Sequence, residues 1–167
     1  MNPLAPCRGC MFLASLRGAW ACLIALTIGV ASACVTAVAS AQTVKPVSVW
    51  SGVYTAAQGK RGEALHADVC VMCHGRQLNG AAQSEMPPSP AIAGAGFLRK
   101  WTGQTVAALF VIVRHTMPPD SPGTLTDQES VDAIAHMLAV SGIPAGNREL
   151  PLDPGGLANI LIEAERK

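Results

Sequence analysis

The sequence predicts a small all-α protein with three main helices joined by long loops. Three segments, at 58–73, at 102–115 and after Thr126, carry apolar residues at the three- and four-residue spacing of one helix face. The stretches between them are rich in Gly and Pro, which favour loops. Only five aromatic residues follow residue 41, so the core of such a chain would be thin without a cofactor.

The first 41 residues are predicted to be a signal peptide. Arg8 and Arg17 precede a run without charged residues at 18–44, and Ala39-Ser40-Ala41 matches the A-x-A cleavage pattern. Cleavage after this pattern predicts an exported, periplasmic protein.

Two alternatives involve the membrane. The uncharged run is long enough for an uncleaved anchor, which needs ~20 residues, and Cys34 is a candidate lipidation site.

Only two of the six cysteines, Cys70 and Cys73, lie outside the predicted signal peptide. They belong to C-V-M-C-H at 70–74, and C-x-x-C-H is the pattern that attaches a c-type haem. Two thiols one helical turn apart suit two thioethers to the haem vinyl groups, and His74 then adjoins the iron as its proximal ligand. A thioredoxin-type motif would need a βαβ context, and a zinc site would need further Cys or His pairs; neither is apparent.

The first predicted helix, at 58–73, carries this motif at its end. Gly62 costs it roughly 1 kcal/mol of helix propensity relative to Ala, which is reasonable where another helix crosses closely. Residues 75–100 are predicted to be a long loop around one edge of the cofactor. The apolar face of the helix is expected to comprise Leu65, Val69, Met72 and Cys73.

The second and third predicted helices have clear end signals. Residues 102–115 end at Met117-Pro118-Pro119, since proline cannot continue a helix. The third helix starts with a capping box of Thr126 and Glu129 and stops before Gly142.

These elements predict one domain and one haem, because no internal repeat is visible. A lead-in spans 42–55, the main domain spans 56–145, and a C-terminal extension spans 146–167. One docking turn is expected in the extension, built from Leu157, Ile160 and Leu161.

The charge balance excludes one class of partner. Without Arg8 and Arg17 the chain has ten basic and eleven acidic residues. Nucleic-acid binding needs a clustered basic surface, so we expect no nucleic-acid partner. Net charge does not restrict protein partners, because local patches decide their docking.

The residues alone leave four alternatives for the second axial ligand of the iron. Met117 is preferred, because it follows a helix end and two prolines stiffen its loop. Met86, in another Pro-rich stretch, is the second choice, and His115 is a competitor two residues from Met117. An open iron site is the remaining alternative. Methionine raises the reduction potential relative to histidine and leaves no vacant position, which suits electron transfer.

Together, C-x-x-C-H, the Gly/Pro-rich stretch, T-M-P-P at 116–119 and the final helix resemble the class I cytochrome c family over residues 56–145. The resemblance implies a small cytochrome c fold wrapped around one covalent haem c. It implies that Cys70 and Cys73 form the thioethers and that His74 and Met117 bind the iron.

The resemblance also implies roles around this centre. The backbone carbonyl of Pro90, or of Ala91, is expected to orient the proximal imidazole. Trp101 and Arg99 resemble residues near a haem propionate. In relatives the first and last helices cross at a small residue, which Gly62 matches. His66 and His136 stand where relatives often carry aromatic residues, and both are expected at this helix interface.

The expected function is one-electron transfer rather than catalysis, between a periplasmic dehydrogenase and an oxidase or another cytochrome. The segment 146–162 resembles an extension on cytochromes associated with quinoprotein dehydrogenases. A haem subunit fixed in such a complex is therefore one alternative. A ligand-binding or catalytic haem protein, with an open distal site near His115, is the other.

Overall fold

The structure is a computed structural model that describes residues 45–80 and 89–166. The predicted signal peptide, including Cys34, and the second-choice ligand Met86 lie outside these residues. None of the helices in the described part of the chain has the length and apolar character needed to cross a membrane.

Helices dominate the described residues, which confirms the predicted all-α class. The helices are α1 (Ala56–Leu65), α2 (Val71–His74), α3 (Gly94–Trp101), α4 (Val106–Thr116), α5 (Asp127–Val140) and α6 (Pro154–Ala158). The three predicted helices correspond to α1 with α2, to α4 and to α5. Two short strands pair in parallel, β1 (Val47–Ser48) and β2 (Ile160–Leu161), with Val47 opposite Ile160.

The main packing contact of the fold is the crossing of α1 and α5. A Cβ atom on Gly62 would overlap the backbone carbonyl of Asp132 and would lie 2.8 Å from the His136 Cβ. The backbones therefore approach more closely than any side chain at position 62 would allow. This is the close crossing that Gly62 predicted.

A π-helical segment, His66–Cys70, joins α1 to α2. Its i→i+5 pattern takes up more residues per turn than an α-helix, so the residues after it no longer follow the periodicity of α1. The prediction that Met72 belongs to the apolar face is wrong, because its side chain is 63% exposed. Leu65, Val69 and Cys73 are partly buried.

Two boundaries differ from the predictions. The predicted loop at 75–100 contains α3, whose Phe97 and Leu98 are buried. Glycine favours loops, so a helix of only eight residues that contains two glycines was predicted as a loop. The next helix begins at Val106 rather than 102, because the Thr105 side chain accepts a hydrogen bond from the Ala108 N–H and caps it.

The start of α5 is as predicted. The Glu129 N–H donates to Thr126 Oγ1 at 3.2 Å, and the Thr126 N–H donates to Glu129 Oε2 at 2.7 Å. These reciprocal bonds satisfy two helix-end donors. The backbone N–H and hydroxyl of Thr126 both bond Glu129 and lower the pKa of its carboxyl group.

The C-terminal extension packs into the core instead of forming one docking turn. Leu157 lies on α6 and Ile160 in β2, and both are buried. Leu161 is only partly buried, whereas its neighbour Ile162 is fully buried. Alternation along the short strand explains the difference, since successive side chains point to opposite faces.

An ion-pair cluster also ties the extension to the helix crossing. Arg61 on α1 makes two hydrogen bonds to Asp132 on α5, at 2.8 and 2.9 Å, and two to Glu149, at 3.0 and 2.9 Å. Gln128 Nε2 donates to Asp132 Oδ1 at 2.8 Å. The hydrogen bonds to these carboxylates raise the pKa of Arg61, and the bond from Arg61 lowers the pKa of Glu149.

Candidate haem-binding site

A cavity of about 200 Å³ lies among α2, α3, α4 and α5. Its lining is mainly apolar and includes Leu109, Val113 and Leu125. All but one of the residues predicted to contact haem also line it: Cys70, Cys73, His74, Pro90, Trp101 and Met117. The structure thus brings together side chains that are up to 47 positions apart in the chain.

His74 is held in one orientation at the end of α2. Its ring is buried, and Nδ1 lies 3.1 Å from the backbone carbonyl oxygen of Pro90. A carbonyl oxygen only accepts hydrogen bonds, so this contact assigns the proton to Nδ1. The other ring nitrogen, Nε2, is then free to bind a metal. The Pro90 contact is the one that the family resemblance implied.

Cys70 and Cys73 are partly buried, and both line the cavity. Burial raises the pKa of the Cys70 thiol, and the neighbouring Cys73 adds to the increase. Burial therefore favours the neutral thiol of Cys70 over the thiolate. Cys70, Cys73 and His74 line one cavity, as a C-x-x-C-H attachment requires.

Met117 lines the cavity at the C-terminal end of α4. It is the C-cap of α4, with extended backbone dihedrals, so the chain leaves the helix there. Pro118 and Pro119 line the cavity beside it. The competitor His115 is exposed and does not line the cavity, because it belongs to the last turn of α4 on its outer face.

The predicted haem contact of Arg99 is not present in the cavity lining. Arg99 is exposed, and its neighbour Lys100 lines the cavity with Phe97 and Trp101. Positions three and four apart share a helix face, so Phe97 places Lys100 and Trp101, not Arg99, on the cavity side. The Phe97 and Trp101 ring centroids are 6.2 Å apart.

Sequence reasoning also missed two lining residues on α5. Ala133 and Met137 line the cavity, and Met137 is almost fully buried. Their four-residue spacing places both on one face. That spacing was a usable signal, but it lies beside the stronger apolar stripe that contains Val131 and Ile134.

The residues present fit a haem rather than a bare metal ion. The described part of the chain contains no group of three His, Cys, Asp or Glu side chains that would hold an ion alone. Instead the cavity offers one oriented imidazole, two thioethers (Met117 and Met137), two thiols and apolar walls. These include the donors for two axial iron bonds and two covalent attachments, with walls suited to a flat apolar ring.

A comparison with protein families agrees with this chemistry. A family model described as cytochrome C oxidase, cbb3-type, subunit III matches residues 57–137, and this is a family of class I c-type cytochromes. No curated protein matches the chain. A chain in the crystal structure of the sulfane dehydrogenase SoxCD from Paracoccus pantotrophus shows 19% sequence identity over 68% of this chain, with a TM-score of 0.43. This protein covers 61% of that chain.

The matched segment contains the whole C-x-x-C-H motif, α3, α4 and most of α5. It therefore includes every described residue that we assign to the site. The family consists of haem c proteins that transfer electrons. Over residues 57–137 the chain thus matches a family of class I c-type cytochromes.

Proposed function

We propose that this protein is an exported monohaem c-type cytochrome that carries single electrons from a periplasmic dehydrogenase to a respiratory acceptor. One observation supports it most: His74, Met117 and the two thiols of C-x-x-C-H line the same apolar cavity. The single C-x-x-C-H motif outside the predicted signal peptide supports one haem, attached through Cys70 and Cys73.

When bound, the haem supplies an iron centre that cycles between ferric and ferrous states. The protein residues hold that centre in place. His74 provides an imidazole whose orientation Pro90 maintains, and Met117 provides a soft thioether that favours the ferrous state. Because His74 and Met117 would both hold the iron, no position would remain for a substrate, and the chain itself is not expected to be an enzyme.

The exposed apolar residues near the cavity suit brief contacts with redox partners. Ile112 lines the cavity and is 42% exposed, and Met72, between the two cysteines, is also exposed. Weak redox complexes use small interfaces, typically below ~1,200 Å². A patch of this kind at the haem edge would let partners dock and leave quickly.

Covalent attachment can be tested by mass spectrometry of protein exported with a c-type maturation system. We expect the mass of the chain from residue 42 plus one haem. A Cys70→Ala, Cys73→Ala double variant should lose the haem, whereas Met72→Ala should keep it. Exported wild-type protein without an added tetrapyrrole would refute the proposal, and a retained N-terminus would refute cleavage after Ala41.

Axial ligation can be tested by absorption spectroscopy. The ferric wild type should show the weak charge-transfer band of methionine-bound haem, and its ferrous form should bind carbon monoxide slowly. Met117→Ala should lose the band and bind carbon monoxide rapidly. Met137→Leu and His115→Ala should keep the band and bind carbon monoxide slowly. Rapid binding by the wild type would favour an open, ligand-binding site.

Purification from the periplasm distinguishes a mobile carrier from a subunit fixed in a dehydrogenase complex. We expect a free cytochrome in the periplasmic fraction, which a purified dehydrogenase reduces in solution. Stoichiometric co-purification with a dehydrogenase that persists in high salt would contradict a mobile carrier.

A further inference from the structure

We propose that Ser141 is a positioning residue for the proximal ligand, because it anchors the segment that carries the Pro90 carbonyl. The inference rests on the proposed function, in which His74 binds the haem iron. Ser141 lies at the C-cap of α5, 47 residues from the segment that it contacts. Neither the C-x-x-C-H motif nor the family match points to it, since it follows the matched residues 57–137.

The first step is an unusual cap at the start of α3. Ala93, the residue before α3, has no side-chain oxygen and makes no cap. Instead the Gly94 N–H donates to Ser141 Oγ at 2.9 Å, and Ser141 Oγ donates to the Met137 carbonyl at 2.6 Å. The hydroxyl therefore accepts, from outside α3, one of the first four N–H groups that a helix leaves unpaired.

The second step connects this cap to His74. Residues 89–93 lead directly into α3, and their path is fixed at three described points. The Ile92 N–H donates to the Leu78 carbonyl at 2.8 Å, Ser141 holds Gly94, and the Pro90 carbonyl accepts from the His74 ring. Loss of the Ser141 hydroxyl would leave Pro90 with only the Ile92 anchor on its C-terminal side.

The third step gives the expected direction. A strong hydrogen bond from Nδ1–H makes an imidazole ligand more electron-rich, which stabilises the ferric state. If the Pro90 carbonyl moves, this bond weakens and the reduction potential rises. A role confined to capping α3 would lower the stability of the protein and leave the potential unchanged.

The test compares Ser141→Ala with Ser130→Ala in the haem-loaded protein. Ser130 is a matched control, because its hydroxyl also donates to the carbonyl four residues earlier on α5, at 2.8 Å to Thr126. It differs in having no described contact with α3. We expect Ser141→Ala to raise the potential and to speed hydrogen exchange at the Gly94 amide and at His74 Nδ1–H. Ser130→Ala should do neither, and Ser141→Thr should restore wild-type behaviour.

Several outcomes would overturn the inference. These are equal potentials for Ser141→Ala and wild type, the same shift in Ser130→Ala, or no rescue by a folded Ser141→Thr. If Ser141→Ala does not fold, the wild type still decides: an unprotected Gly94 amide would refute the cap. Failure of the proposed function is distinguishable, because it appears as absence of bound haem in the wild type.

Discussion

The imidazole rings of His66 and His136 lie 5.3 Å apart, centroid to centroid, at the interface between the N-terminal helical segment and α5. Burial lowers the pKa of both rings. The Gly75 backbone partly offsets the decrease in the pKa of His66. At His136 the neighbouring His66 ring adds to the decrease, and Glu63 partly offsets it. Both rings are therefore more easily protonated in the unfolded chain.

This pair predicts an acid-sensitive fold. Because the folded pKa values lie below the ordinary 6.5, the stabilisation is complete above about pH 6.5 and is lost as the pH falls below it. Denaturant midpoints at pH 7.5, 6.5 and 5.5 would measure this loss, above the range in which carboxyl groups titrate. Replacing both histidines by Tyr should flatten the profile, and changing the exposed His115 to Asn should not. An unchanged profile in the double variant would reject the prediction.

The contact of Gly62 with α5 predicts a large effect of one methyl group. Gly62→Ala would force a Cβ atom into the Asp132 carbonyl, and overpacking of this kind costs typically about 1–3 kcal/mol, occasionally more. Gly96→Ala on α3 is the control, because nothing lies within 4 Å of the position that its Cβ would take. It should be neutral or stabilise by up to about 1 kcal/mol. Equal free energies of unfolding for the two variants would contradict a close crossing.

The Arg61 cluster predicts unequal costs for two arginines. Arg61→Met leaves the Asp132 carboxylate, whose side chain is only 7% exposed, without its main partner. Unpairing a buried group costs about 1–3 kcal/mol. Arg114→Met removes a pair with the exposed Asp127, which should cost about 0–1 kcal/mol. Urea unfolding of both variants measures the difference, and the prediction fails if Arg114→Met costs as much as Arg61→Met.

The buried extension predicts that a substitution far from the haem destabilises the whole domain. Leu157→Ala removes a fully buried side chain and should cost about 2–5 kcal/mol. Leu152→Ala changes a half-exposed residue of the same type and should stay within about 0.5 kcal/mol. Thermal unfolding followed at the haem band and by circular dichroism should show one coincident transition. Separate transitions would show that the extension folds independently.

The sequence predicted best the features that local chemistry determines. C-x-x-C-H identified Cys70, Cys73 and His74, and T-M-P-P identified Met117, because each pattern needs only neighbouring residues. The capping box of α5 was predictable for the same reason. The structure places these residues around one cavity, although their bonds to haem remain part of the proposal.

Features that depend on distant residues were not predictable. Ser141 bonds Gly94, 47 residues away, and Arg61 pairs with Asp132, 71 residues away. No local sequence pattern predicts either contact. Short helices were also difficult, since α3 has only eight residues and two glycines. Arg99 was expected near a propionate from the family resemblance, and its place outside the cavity lining depends on how α3 packs.

The π-helical segment between α1 and α2 has a consequence for transplanting this site. An α-helix turns about 100° per residue, whereas the π-helical turn at His66–Cys70 holds more residues per turn. The direction of the His74 imidazole relative to Gly62 therefore depends on this segment, and the five-letter motif alone does not encode it. Anyone grafting this attachment sequence into a new scaffold should transfer residues 62–74 as one block, with the wide turn included.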